Sequence, residues 1–159
     1  MQRYILNEQD TTNFAQKIAS CLFIEPIQTT LVLTISGILG VGKTTLIRAI
    51  LRSLGVDASI KSPTYSLVES YNYQDVTLHH FDLYRIQNES ELEYMGFRDY
   101  FNPYTICLIE WPEMAPTSLN IVDIKIMLNL YEQNHRLLEI DGLTSIGMRI
   151  VTCLKALVL

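Results

Sequence analysis

The sequence predicts an α/β fold, with helices flanking a mixed central sheet, and three observations carry that prediction. A β-rich run, Leu31 to Ser36, leads directly into a glycine-bearing loop and then a helical pattern. The unbroken apolar run Ile106 to Ile109 suits a strand covered on both faces. Alternating residues over 121–130, followed by His135 to Ile140, suit a half-buried pair joined by a turn. The first two point to parallel central strands and the third to antiparallel pairing, so the sheet is expected to be mixed.

The elements follow in order. Residues 3–6 read as a short strand. Asn7 or Asp10 can then cap a helix over residues 10–22, which sets Phe14, Ile18, Cys21 and Leu22 on one face. After the strand at Leu31 to Ser36, residues 43–53 repeat at helical spacing through Leu46, Ile47, Ile50, Leu51 and Leu54, and Gly55 stops them. Residues 66–73 and 76–84 form a hairpin about Gln74-Asp75, and Asn88 to Tyr94 reads as a short helix. Thr144 caps a last helix running to the C-terminus, with Ile146, Ile150, Cys153, Leu154 and Leu157 facing in. No repeat, linker or low-complexity tract divides the 159 residues, so residues 1–159 are expected to form a single domain.

Composition narrows the setting. Apolar residues are 48% of the chain, ample for a core, yet no run reaches the roughly 18 apolar residues a membrane helix needs. The start, MQRYILNEQD, lacks the apolar core of a signal peptide. A soluble, cytoplasmic protein with no membrane partner is expected. Cys21, Cys107 and Cys153 are widely spaced, odd in number and set among aliphatic residues, so all three are read as reduced core cysteines. The net charge is −5, and lysines and arginines are scattered apart from Arg48 and Arg52 on one helix. Nothing here forms the basic face that tight nucleic-acid binding requires.

The chemistry begins at Gly37-Ile-Leu-Gly-Val-Gly-Lys-Thr44, a gapless G-x-x-x-x-G-K-[ST]. Such a loop wraps a phosphate closely, so side chains are absent where backbone amides converge. Lys43 supplies charge for the β- and γ-phosphates, the Thr44 hydroxyl can ligate magnesium, and the following helix aims its positive end at the anion. Gly37, Gly40, Val41, Gly42, Lys43, Thr44 and Thr45 are therefore the expected nucleotide contacts of a P-loop NTPase-like fold. Neither N-K-x-D nor D-x-x-G occurs, which favours ATP over GTP by elimination. Magnesium also needs a carboxylate at a neighbouring strand end. Glu110, after the apolar run, and Asp82, after Val76 to Phe81, are the two candidates, and hydrophobic burial beside the P-loop strand favours Glu110.

Further blocks follow the P-loop in order: Ser62-Pro-Thr-Tyr65, His80-Phe-Asp-Leu-Tyr-Arg85, Glu93-Tyr-Met-Gly96 and Ile109-Glu-Trp-Pro-Glu113. Across residues 5–115 this order and spacing resemble the TsaE (YjeE) family, the ATPase of bacterial tRNA threonylcarbamoyladenosine synthesis. The resemblance implies ATP and Mg²⁺ as cofactors. It implies as partners a TsaD-like threonylcarbamoyl transferase and its TsaB-like paralogue, whose repeated turnover on tRNA needs the ATP hydrolysis; tRNA itself would be reached only indirectly. Carried over by position, it makes Thr44 and Glu110 magnesium ligands and Asp82 the residue that positions or activates the attacking water. Thr64 becomes a γ-phosphate switch, Trp111 a shaper of the nucleotide side, and Glu8 with Thr11 a region near the base. Ile38 departs from the family's usual Asp, which bears on water positioning or partner contact rather than on phosphate binding.

Other residues admit two readings. His79 and His80 are adjacent in a strand and point to opposite faces, so they cannot share a metal; one is expected to be buried or partner-facing and the other solvated. Six of the tyrosines lie between Tyr65 and Tyr100, where they suit either packing or a partner surface, with Tyr84, Arg85 and Arg98 the interface candidates. Trp111 could equally cap the core. Two rival functions stand beside the coupled ATPase. One is a small-molecule kinase, against which counts the absence of an arginine-rich lid; the other is a nucleotide-binding scaffold without hydrolysis.

Overall fold

The computed structural model describes residues 1–56, 59–132 and 134–158. Its elements, in chain order, are β1 (Gln2–Leu6), α1 (Glu8–Leu22), β2 (Thr30–Ser36), α2 (Lys43–Ser53), β3 (Val68–Tyr73), β4 (Val76–Asp82), α3 (Ser90–Tyr94), β5 (Thr105–Glu110), β6 (Ile124–Tyr131), β7 (His135–Gly142) and α4 (Ser145–Val158). The seven strands make one sheet in the order β1-β7-β6-β2-β5-β4-β3. The four central strands β6, β2, β5 and β4 run parallel, while β1, β7 and β3 pair antiparallel at the edges. The sheet is mixed, as the sequence predicts.

Alternation along the strands divides the core between two faces. Leu31, Leu33 and Ile35 of β2, with Ile106 and Leu108 of β5, pack under α1, α2 and α4 against Ile18, Leu22, Ile47 and Ile50. Val32, Phe81, Cys107 and Ile109 face the other way, onto an aromatic layer. There Phe81 meets the rings of Phe97, Tyr100 and Phe101 at 5.0–6.4 Å, counting the Phe97–Phe101 contact. Burying one such side chain contributes about 1.5–3 kcal/mol, so the two layers hold the central strands rigidly in register.

Element ends differ from expectation where polar side chains intervene. α1 starts at Glu8, earlier than expected, because Asn7 and Asp10 form a reciprocal capping box. β3 starts at Val68, since Leu67 takes φ 68° and its amide closes a turn onto the Pro63 carbonyl. β4 stops at Asp82, whose carboxylate accepts from the Tyr84 amide and turns the chain. β6 begins at Ile124; Ile121 is exposed, and the Asp123 carboxylate instead accepts from the Val32 amide and the Thr144 hydroxyl. On α4, Leu157 is exposed rather than inward, and Val151 is buried in the core. Leu159, included in the predicted last helix, lies outside the described residues.

The cysteines require a correction. Cys21 on α1 and Cys153 on α4 are joined as a disulfide, with Cα atoms 5.9 Å apart, instead of standing as separate reduced thiols. The two helices pack side by side on one face of the sheet, which a separation of 132 residues hides in the sequence. Cys107 is a free buried thiol, as expected, and burial pushes its pKa up to about 12. Among the described residues no helix is long and apolar enough to cross a membrane.

Candidate nucleotide site

The parallel strands β2, β5 and β4 lie side by side, and their carboxyl ends carry the P-loop, Glu110 and Asp82 respectively. Open α/β sheets bind ligands outside such strand ends. Gly37 has φ 148°, and a Cβ there would run into the Leu128 carbonyl of β6, so the loop can leave the sheet only through glycine. Gly40 and Gly42 also take positive φ, 76° and 113°, and a Cβ at either would meet no protein atom. That open side, together with the N-terminus of α2, is a cradle of the size and polarity a phosphate group fits.

Lys43 is buried. Its ammonium donates to the carbonyls of Gly37 at 2.7 Å and Ile38 at 3.0 Å, and it sits 3.9 Å from the centroid of the Trp111 ring. Trp111 in turn packs on Tyr84 at 4.9 Å and takes the left-handed φ of 58°, which turns the chain at the end of β5. Burial holds the lysine's pKa below its ordinary value, against the opposing pull of Glu110, Glu113 and Asp82. Thr44 Oγ donates into the Glu110 carboxylate, 2.8 and 2.9 Å from its two oxygens. The His80 Nε2 lies 2.8 Å from the same Oε1, and both His80 and Glu110 are buried. On the next strand, Asp82 accepts from the Thr64 hydroxyl at 2.9 Å, and Ser62 Oγ lies 2.8 Å from that hydroxyl.

Two cavities flank the loop. One, of ≈ 270 Å³, is bounded by Lys43, Thr44, Thr64, Asp82, Glu110 and Trp111. The other, of ≈ 510 Å³, lies between the loop and the start of α1, and Glu8, Thr11, Val41, Thr45 and Arg136 line it. The expected residues thus divide into a group around the smaller cavity and a group at the far side of the loop.

A family model described as "Threonylcarbamoyl adenosine biosynthesis protein TsaE" matches residues 5–138. The chain belongs to the TsaE family. It is 40% identical to the tRNA threonylcarbamoyladenosine biosynthesis protein TsaE of Haemophilus influenzae, over 96% of each chain. It is 32% identical to the protein of that name from Bacillus subtilis, over 91% of this chain and 85% of the relative. The crystal structure of Bacillus subtilis YdiB superposes with a TM-score of 0.75, covering 99% of this chain and 96% of that one. At 22% identity that likeness speaks for the fold alone.

Within this TsaE chain the structure adds residues that sequence reasoning missed. His79 and His80 do face opposite sides, but neither is solvated: His79 bonds Ser70 beside the aromatic layer, and His80 reaches Glu110. The His80-x-Asp82 spacing on one strand already put both on one face, a signal that was available. Arg136 donates from Nε to the Val41 carbonyl at 2.8 Å. That contact depends on how β7 pairs with β6 and β1, and nothing local announces it. Ile38 is exposed beside the loop, and only its carbonyl enters the site. Of the interface candidates, Arg85 stacks on exposed Tyr65 at 4.2 Å, while Arg98 pairs with Glu93.

Proposed function

We propose that this chain is a magnesium-dependent ATPase, acting as one P-loop unit, that supports a TsaB–TsaD-type transferase in threonylcarbamoyladenosine modification of tRNA. The observation that carries the reading is the Thr44–Glu110 bond, beside the Asp82–Thr64 bond on the adjacent strand. It matches a P-loop hydroxyl and a strand-end carboxylate to one ion, with a second carboxylate left for water. Gly37, Gly40, Val41, Gly42 and Thr45 would wrap the phosphates, and Lys43 would leave its two loop carbonyls for the β- and γ-oxygens. Magnesium held by Thr44 and Glu110 would neutralise charge on those oxygens. Glu8 and Thr11, at the larger cavity, suit the nucleoside half, and Trp111 keeps the lysine aligned.

For hydrolysis, Asp82 would take a proton from the attacking water as the water oxygen bonds to the γ-phosphorus and the β,γ-bridging oxygen leaves with ADP. Thr64 occupies the Asp82 carboxylate, so its loop must turn toward the γ-phosphate before the water can be activated. A partner surface can drive that turn. Ile38, Leu39, Tyr65 and Tyr84 are exposed on this side of the molecule, and exposed aromatic and arginine side chains suit protein contact. The net charge of −5 and scattered basic residues favour reaching tRNA through that partner. Phosphate release by the purified chain, with and without the TsaB–TsaD pair, tests the reading. Slow release alone and clear stimulation by the pair are expected. Full activity alone, or no stimulation, would favour the kinase or scaffold functions.

A further inference from the structure

We propose that His80 is a positioning residue for magnesium, holding the Glu110 carboxylate in the rotamer that Thr44 and the ion share; this rests on the Mg–ATP reading above. His80 is fully buried on the face of β4 that carries Leu78 and Asp82. Its register partner on β5 is Leu108, which sets Glu110 one side chain further along the same face, within diagonal reach. The ring's one polar contact among the described residues is Nε2 to Glu110 Oε1, and Nδ1 is buried with no partner. Packing alone does not explain such a ring. A leucine there would fill the same place between Leu78 and Leu108 without leaving a ring nitrogen unmatched.

The demand comes from Glu110 itself. A glutamate has one more rotatable bond than an aspartate, and the one Thr44 hydroxyl reaches both carboxylate oxygens without choosing between them, so it does not fix the rotamer. A donor from the buried side pins Oε1, leaving Oε2 in contact with Thr44 alone at the edge of the ≈ 270 Å³ cavity. Hydrogen bonds that orient a metal's carboxylate or histidine ligands commonly carry about 10–100-fold in metal affinity. His80 therefore belongs to the magnesium site without touching the ion or the reacting atoms.

The test is calorimetric titration of ATP into the full chain and its His80→Leu, His80→Gln and His80→Asn variants, with magnesium and with EDTA, alongside melting curves. The Leu variant should melt somewhat lower, because Glu110 loses a charge-assisted bond while the unmatched Nδ1 is removed, and should bind ATP equally well in EDTA. It should lose about 10–100-fold of the affinity that magnesium adds. Gln, whose amide extends to Oε1, should recover more of that gain than the shorter Asn. A Leu variant that keeps the whole magnesium gain overturns the proposal. If Leu does not fold, the Gln–Asn pair decides, and equal gains overturn it. A wild-type chain whose ATP affinity ignores magnesium would instead sink the Mg–ATP reading, before any variant is compared.

Discussion

Glu110→Gln tests the magnesium-ligand role proposed for this residue apart from its part in folding. The amide keeps the shape and one acceptor oxygen, but the charge goes. Bonds from His80 and Thr44 drop from charge-assisted, about 1.5–3 kcal/mol, to neutral, about 0.5–1.5, a loss near 1 kcal/mol each. Two electrostatic changes then oppose each other. Asp82 is the register partner of Glu110 on the adjacent strand, and like charges separated by about one strand spacing, ~4.8 Å, repel by about 3.5 kcal/mol at an effective dielectric near 20. Its relief is opposed by the lost attraction to Lys43, on which Glu110 pulls more than any other charge, and the two changes are taken to cancel. The remainder is a destabilisation of about 2 kcal/mol, or roughly 4–8 °C in melting temperature for a chain of this length. Binding should respond differently: magnesium should no longer strengthen ATP binding, while affinity in EDTA changes little. Thermal melting and calorimetry with and without magnesium read both quantities. A variant that keeps the magnesium gain refutes the ligand assignment. A collapse of the fold well beyond the estimate would make Glu110 a structural residue first.

Four other outcomes are expected. Lys43→Ala should weaken ATP binding more than ADP binding, by about 10–150-fold for a lost charged contact, and an unchanged triphosphate-to-diphosphate ratio counts against it. Because burial lowers the Lys43 pKa, the unfolded chain holds the extra proton between that lowered value and the ordinary 10.5. Stability from this group therefore rises with pH through that window, while ATP affinity falls as the ammonium is lost, which titrations at rising pH will follow. Asp82→Asn should bind Mg–ATP nearly normally and lose turnover by about 10²–10⁴, read in single-turnover hydrolysis with the partner pair present; normal turnover removes the base from Asp82. Cys153→Ser should cost about 2–4 kcal/mol, and thiol counting on the unreduced, denatured chain should find Cys107 alone; three titratable thiols would refute the pairing.

The phosphate loop was legible because its chemistry is local: Gly37 to Thr44 are contiguous, and strand, loop and helix follow one another in the chain. Glu110 and Asp82 were legible as strand ends for a similar reason, since an apolar run predicts its own terminus. Ile121 and Leu157 misled, because an apolar residue at the right period is still exposed once the element stops or turns away. His80 was half legible, its face following from strand alternation and its partner from a register no local pattern sets.

By itself the sequence determined which residues carry the P-loop pattern and which family the blocks resemble, and it favoured ATP over GTP by elimination alone. The tertiary structure alone decided how those blocks assemble. Parallel pairing of β4 with β5 and β5 with β2 draws Asp82 and Glu110 to Thr44, across a sequence separation of 66 between Thr44 and Glu110, into one cavity. It also set α1 against α4, where Cys21 meets Cys153, and brought β7 round so that Arg136 holds the Val41 carbonyl. The physical reason is common to all of them. Hydrophobic periodicity specifies which face of an element is buried, whereas the partner across that buried face is chosen by the packing of the whole sheet and its helices.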